Sequence, residues 1–288
     1  MRWPPPPDWP NVAHSRQVYS RPHRWHVQEM GAGDTVLLLH GAGGSTHSFR
    51  NVMPLLAEHF HVIALDLPGQ GFTQLGARHR SGLMDTADDI AALCAQEGWH
   101  PVAIVGHSAG GALALRLSNM MLSPRGQIPR VIGINPALDH FQGVAGVLFP
   151  VLAKMLAAVP FTARLFANSA RNMNRVEALI TGTGSDLDMM GMAYYQRLTS
   201  DRDHADATLL MMSQWELEDL LRDLSGVPAG TLFLAGGNDK AVPSSVSDKA
   251  ARKMPDAQVI HLPHLGHLAH EEAPDEIARH ILDFLQCD

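Results

Sequence analysis

From residue 35 onward, short apolar runs alternate with amphipathic ones. TVLLLH, HVIALDLPG, VAIVGH and VIGIN have the length and β-branched content of strands. Between them, SFRNVMPLLAEH, TADDIAALCAQEG and the stretch from Ala109 to Met121 carry apolar residues at helical spacing. The runs Val36 to Leu39 and Val102 to Val105 are almost continuously apolar, as expected of parallel strands covered by helices on both faces. Thr86 followed by Asp89, just ahead of Ile90, Leu93 and Cys94, predicts a capping box at the start of the second helix. This βα alternation stops near Pro136. Residues 136–226 read as helical throughout and hold half of the chain's 14 methionines. The alternation resumes with TLFLAGGND, a helix near Val246 to Lys253, the strand QVIHL and a final helix from about Asp275 to Leu285. The pattern predicts an α/β fold with a mostly parallel, doubly wound sheet and a helical insertion. Its segments are a proline-rich arm over residues 1–22, a core over 23–135 and 227–288, and a helical cap over 136–226. In such sheets, ligands sit beyond the carboxyl ends of the strands.

Charge and composition narrow the classes of function. A net charge of −7 disfavours tracking a phosphate backbone, so nucleic acid is not an expected partner. Two cysteines, Cys94 and Cys287, make no disulfide framework, and Cys94 falls on the apolar stripe of a predicted helix. The start, MRWPPPPDWPN, lacks the apolar region of a secretory signal, and no run of about 18 apolar residues is present. The expected location is the cytoplasm, with peripheral membrane contact as a secondary option. The apolar stretch from Gly143 to Ala153 is too short to span a bilayer and reads as a lid helix.

Residues 261 to 270, HLPHLGHLAH, place four histidines three apart. Pro263 and Gly266 interrupt any helix that would align them, and no paired cysteines or H-E-x-x-H pattern accompanies them, so no metal site is expected. One histidine can instead serve a nucleophile. Gly106-His107-Ser108-Ala109-Gly110 stands between the strand VAIV and a helix. This setting forces Ser108 into a strained turn that small neighbours allow to close. A serine hydroxyl needs a base, and the base needs an orienting acid. His267, after the strand QVIHL, supplies the base. Asp239, in the glycine-rich turn after TLFLA, supplies the acid, with Asp139 after VIGIN as the alternative. His261, His264 and His270 read as structural or exposed. The amides of Ala109 and of Ala42, in HGAGG, would form the oxyanion hole. HGAGGST also suits a dinucleotide loop, but it lacks a third glycine at Thr46, and Asp66 begins the structural turn DLPGQG. No cofactor is expected.

Together HGAGG, DLPGQGFT, GHSAGG, GGNDKAVP and LGHLAHEE resemble the α/β-hydrolase superfamily over nearly the whole chain. More narrowly, WPPPPDWPNVAHSR, RWHVQEMG, LITGTGSDLD and LPHLGHLAHEE resemble the magnesium-chelatase accessory family of bacteriochlorophyll biosynthesis. The first resemblance implies ester or related acyl hydrolysis on a hydrophobic substrate. The second implies a role near magnesium insertion into protoporphyrin, with a tetrapyrrole as ligand and magnesium chelatase subunits as partners. A different class of function also follows: a tetrapyrrole carrier or chaperone whose triad is idle. Arg164, Arg171 and Arg175 could pair with propionates, although a solvated helix face is the simpler reading.

Overall fold

Alternation of side chains along the central strands divides the apolar residues between two cores. The computed structural model describes residues 1–139, 172–227 and 230–286. The strands are β1 (Ser15–Ser20), β2 (His23–Met30), β3 (Thr35–Leu39), β4 (His61–Leu65), β5 (Ala103–His107), β6 (Arg130–Ile134), β7 (Thr231–Gly236) and β8 (Ala257–Leu262). They form one sheet in the order β1-β2-β4-β3-β5-β6-β7-β8. Strands β1, β2 and β4 pair antiparallel, and every other pairing is parallel. Leu37, Leu39, Ile63, Leu65, Ile104 and Val131 face one side, where they pack with α2 (Leu83–Glu97) and α3 (Ala109–Ser118). Val36, Leu38, Val62, Ala64, Val105 and Ile132 face the other. There they meet α1 (Val52–Ala57) and the closing helix Pro274–Gln286, whose Ile277 and Ile281 lie one turn apart. Each buried Val, Leu or Ile contributes about 1.5–3 kcal/mol through burial, so both faces are firmly held. The sheet is mostly parallel and doubly wound, as the apolar pattern predicts.

Two local expectations differ from the structure. The extended start does not run free to Pro22, because Ser15–Ser20 has become the edge strand β1. The proposed capping box is absent: α2 starts at Leu83, with Gly82 as its cap and no side-chain cap bond. Gly82 is needed there because a Cβ would meet the Gln214 carbonyl oxygen at 2.8 Å. Thr86 and Asp89 lie inside the helix, where Asp89 accepts hydrogen bonds from Arg80 (Nε at 3.1 Å, Nη2 at 2.8 Å) and pairs with His23 Nε2 at 3.1 Å. His270 lies in a short helix of its own, Ala269–Glu272, just ahead of the closing helix.

Between β6 and β7 the described residues form α4 (Met173–Gly182), α5 (Met189–Thr199), α6 (Arg202–Gln214) and α7 (Glu218–Arg222). Asp188 and Asp201 cap α5 and α6 by accepting from the Gly191 and His204 amides. The predicted lid helix over Gly143 to Ala153 lies outside the described residues, as do Arg164 and Arg171. Arg175 is exposed on α4. The amino-terminal arm docks against these helices. Trp9 is buried between Phe72 and Tyr194, edge-on to both, and Asp8 pairs with Arg197 at 3.0 Å. Among the described residues no helix is long and apolar enough to cross a membrane.

Candidate functional site

All the parallel strands deliver their following loops to one edge of the sheet, and the elbow after β5 sits at its centre. Ser108 has φ 52° and ψ −116°, a left-handed conformation rarely adopted by a residue with a side chain. Two glycines make this possible. A Cβ on Gly106 would meet the Gly110 carbonyl oxygen at 2.0 Å, and one on Gly110 would meet that of Leu39 at 2.2 Å. The Ser108 amide donates to the Ile134 carbonyl at 3.0 Å, which ties the elbow to the neighbouring strand.

The loop after β3 lies against this elbow, because β3 pairs with β5 with Leu39 opposite Gly106. A Cβ on Gly41 would stand 2.9 Å from the Ser108 Cβ. Neither the Ala42 nor the Ala109 amide has a hydrogen-bond acceptor among the described residues. Gly43 is held by Gln70, whose Oε1 accepts from its amide at 2.7 Å. His40 is spent on the loop itself: its Nδ1 donates to the Gly41 carbonyl, and its Nε2 accepts from the Leu67 amide at 2.9 Å. The buried Asp66 carboxylate accepts from the Thr46 and Phe72 amides, which gives DLPGQG the structural role predicted for it and leaves no acid for a ribose.

The four spaced histidines take four different surroundings. His261 pairs with Asp248, His264 with Glu276 and His267 with Asp239, whereas His270 is enclosed beside Phe49 and His107. Among the described residues no three His, Cys, Asp or Glu side chains converge as a metal cluster. His270 is wholly buried, and neither ring nitrogen has a partner among the described residues. Burial there pushes its pKa down to about 3.

Asp239 and His267 are joined directly, with Nδ1 and Oδ2 2.7 Å apart. A carboxylate at Nδ1 assigns the proton to that nitrogen and leaves Nε2 as the acceptor. The other carboxylate oxygen of Asp239 accepts from the Ala241 and Val242 amides, each at 2.8 Å. Asp139, the alternative acid, instead accepts from Lys249 at 3.2 Å. The ring of His267 lies 4.8 Å from that of His107, the residue preceding Ser108. Among the described residues Ser108 makes no hydrogen bond to His267. Such contacts commonly tighten only when substrate binds.

Two positioning groups escaped the sequence reading. His107 Nε2 and Asn135 Nδ2 both donate to the His267 carbonyl at 2.9 Å. Asn135 also donates to the Gly266 carbonyl at 2.9 Å and accepts from the Gly236 amide at 2.7 Å. An Asn directly after the strand VIGI was the readable hint, since Asn tolerates the left-handed region better than most residues and here takes φ 45°.

Comparison with known proteins agrees with this geometry at the level of fold. Residues 34–274 match the family described as alpha/beta hydrolase fold. The magnesium-chelatase 30 kDa subunit of Rhodobacter capsulatus is 44% identical over 98% of both chains. A 2-hydroxy-6-oxo-6-phenylhexa-2,4-dienoate hydrolase from Burkholderia cepacia is 27% identical over 91% of both. Among solved structures, the epoxide hydrolase CorEH superposes with a TM-score of 0.78 at 19% identity, covering 94% of this chain and 98% of its own. An esterase from Exiguobacterium antarcticum gives 0.74 at 16%, covering 92% and 96%. On the family match and the full-length relative, the chain belongs to the alpha/beta hydrolase fold family.

Proposed function

We propose that the protein is a serine hydrolase that cleaves an ester or related acyl bond of a hydrophobic substrate, and that it serves magnesium insertion in bacteriochlorophyll biosynthesis. The observation that carries the hydrolase half is the strained Ser108 elbow beside a bonded Asp239–His267 pair. In the first step Ser108 Oγ attacks the acyl carbon while His267 Nε2 takes its proton, a contribution of about 10²–10⁴ in rate. Asp239 keeps the imidazole in the required tautomer and stabilises the imidazolium. The Ala42 and Ala109 amides receive the developing oxyanion, each contributing about 3 kcal/mol. His267 then protonates the leaving group, and water, activated by the same imidazole, releases the acyl group from Ser108. The helices α4 to α7 act as the cap over this edge.

The accessory half rests on the full-length likeness to a magnesium-chelatase subunit. It implies a tetrapyrrole as substrate or ligand, chelatase subunits as partners, and a cytoplasmic protein with peripheral membrane contact. The same likeness favours a second reading, in which the protein carries a tetrapyrrole and the triad is unused. Intact mass after exposure to a fluorophosphonate separates the two. A single adduct on the wild type, lost in Ser108→Ala and His267→Ala, supports the hydrolase. No adduct, with protoporphyrin or its magnesium complex binding in titration, supports the carrier.

A further inference from the structure

Ser108 is held by the sheet, but the loops that serve it are held from the other side by the helices between β6 and β7. Three hydrogen bonds make this connection. The Lys240 amide, next to Asp239, donates to the Thr183 carbonyl at 3.0 Å. The Leu268 amide, next to His267, donates to Ser185 Oγ at 2.8 Å. His204 Nε2 donates to the Gly43 carbonyl at 3.1 Å, next to Ala42, while its Nδ1 accepts from the Gly71 amide at 3.0 Å. Ser185 and His204 are both buried, so water cannot readily substitute for either bond.

The fit around Ser185 is close. Gly184, at φ +86°, would place a Cβ 1.8 Å from the Asn238 carbonyl oxygen, and a Cβ on Gly266 would stand 2.2 Å from that of Gly184. Only glycine at both positions lets the α4–α5 turn enter between the acid loop and the base loop. The segment LITGTGSDLD therefore contains more than a helix end and a cap. It forms a wedge whose two sides touch the loops carrying Asp239 and His267.

We infer that Ser185 and His204 are positioning residues: the helices between β6 and β7 set the base and oxyanion loops against Ser108, as well as roofing the site. The inference rests on the hydrolase reading given above. It differs from a purely structural role because the two side chains act on different catalytic groups. Loss of Ser185 should disturb His267, and loss of His204 should disturb the oxyanion loop.

The test compares Ser185→Ala, Ser185→Thr, His204→Leu and His204→Gln in the full chain, with p-nitrophenyl acetate hydrolysis and the downfield NMR resonance of the His267 Nδ1 proton as readouts. Small displacements at a reacting centre cost up to about 100-fold in rate. Ser185→Ala and His204→Leu should each lower kcat about 10- to 100-fold with KM within about 2-fold, and the hydroxyl or amide of the conservative variants should restore most of it. The resonance should shift or broaden in Ser185→Ala and stay in place in His204→Leu. Unchanged kcat with an unmoved resonance in Ser185→Ala overturns the inference, and so does a rise in KM alone. If the wild type does not hydrolyse the ester but its resonance still responds to Ser185→Ala, the hydrolase reading fails and the positioning of His267 stands. If the wild type shows neither hydrolysis nor the resonance, both fall.

Discussion

Among the histidine–aspartate pairs of the described residues, two have immediate contacts that are nearly the same. Asp239 accepts from His267 Nδ1 at 2.7 Å and from two backbone amides. Asp66 accepts from His26 Nδ1 at 2.6 Å and also from two backbone amides. The Asp66 pair even has its serine in place, with Ser15 Oγ 2.9 Å from His26 Nε2. By contact list alone, Ser15, His26 and Asp66 are the better-formed triad. What they lack is everything around the contacts. Ser15 lies in a regular strand and receives a hydrogen bond from Gln28, and His26 and Asp66 are wholly buried. Ser108 stands on a strained elbow, where its neighbour's amide at Ala109 and the Ala42 amide of the adjoining glycine loop have no acceptor among the described residues. On the proposed hydrolase reading, backbone strain and amides without acceptors distinguish Ser108 from Ser15 better than the hydrogen bonds within either set, because a satisfied network has nothing left to offer a substrate.

The sharpest way to break this comparison is to remove each serine. Ser108→Ala should abolish the fluorophosphonate adduct and lower any esterase kcat by about 10⁴- to 10⁶-fold, while Ser15→Ala should leave both within about 3-fold. A labelled Ser15 would reverse the assignment. Next come the acids. Asp239→Asn should lower kcat by about 10⁴-fold per folded molecule, because the imidazole would lose its tautomer. Asp66→Asn should act on stability, costing about 1.5–3 kcal/mol in urea denaturation with a near-normal rate per folded molecule. Burial would raise the Asp66 carboxyl, but the charge and hydrogen bond of His26, with the Phe72 amide, hold it well below the usual carboxylate range.

A smaller effect concerns acid stability. Burial lowers His270 to about 3 and His204 to about 4, against about 6.5 in an unfolded chain. The unfolded chain therefore binds protons first as pH falls. The stability these groups contribute is complete above about pH 6.5 and is lost as pH drops through the folded values, at about 1.4 kcal/mol per unit for each proton. His270→Phe, next to Phe49 at 4.9 Å, should flatten the slope between pH 6 and 4 by about one proton. An unchanged slope in thermal melts would show that His270 takes up its proton in the folded state.

The same contrast explains what the sequence disclosed. The elbow, the glycine loop, Asp239 and His267 were legible because glycines and strand ends leave fixed marks in a chain. Strands β1 and β2 were not. His23, His26 and Gln28 are buried in β2, so its inward positions read as polar and the alternation disappears. Asp89 misled for the same reason, since a carboxylate facing Arg80 and His23 looks like a helix cap when its partners are distant in sequence. Ser185 and His204 were invisible because their partners are backbone groups, which no side-chain pattern records.

Trp9 has a further consequence, for the order in which the chain can fold during synthesis. Its arm is tied to Tyr194 through the Asp8 carbonyl, a contact spanning 186 positions. At synthesis rates of about 5–20 residues per second, the arm waits roughly 10–40 s after its own synthesis before the helix that receives it exists. Until then an indole and a proline-rich tether remain exposed to whatever the cell offers. The arm is made well before its receiving helix and seated late, so the docking of Trp9 can report that the chain has been completed through α5.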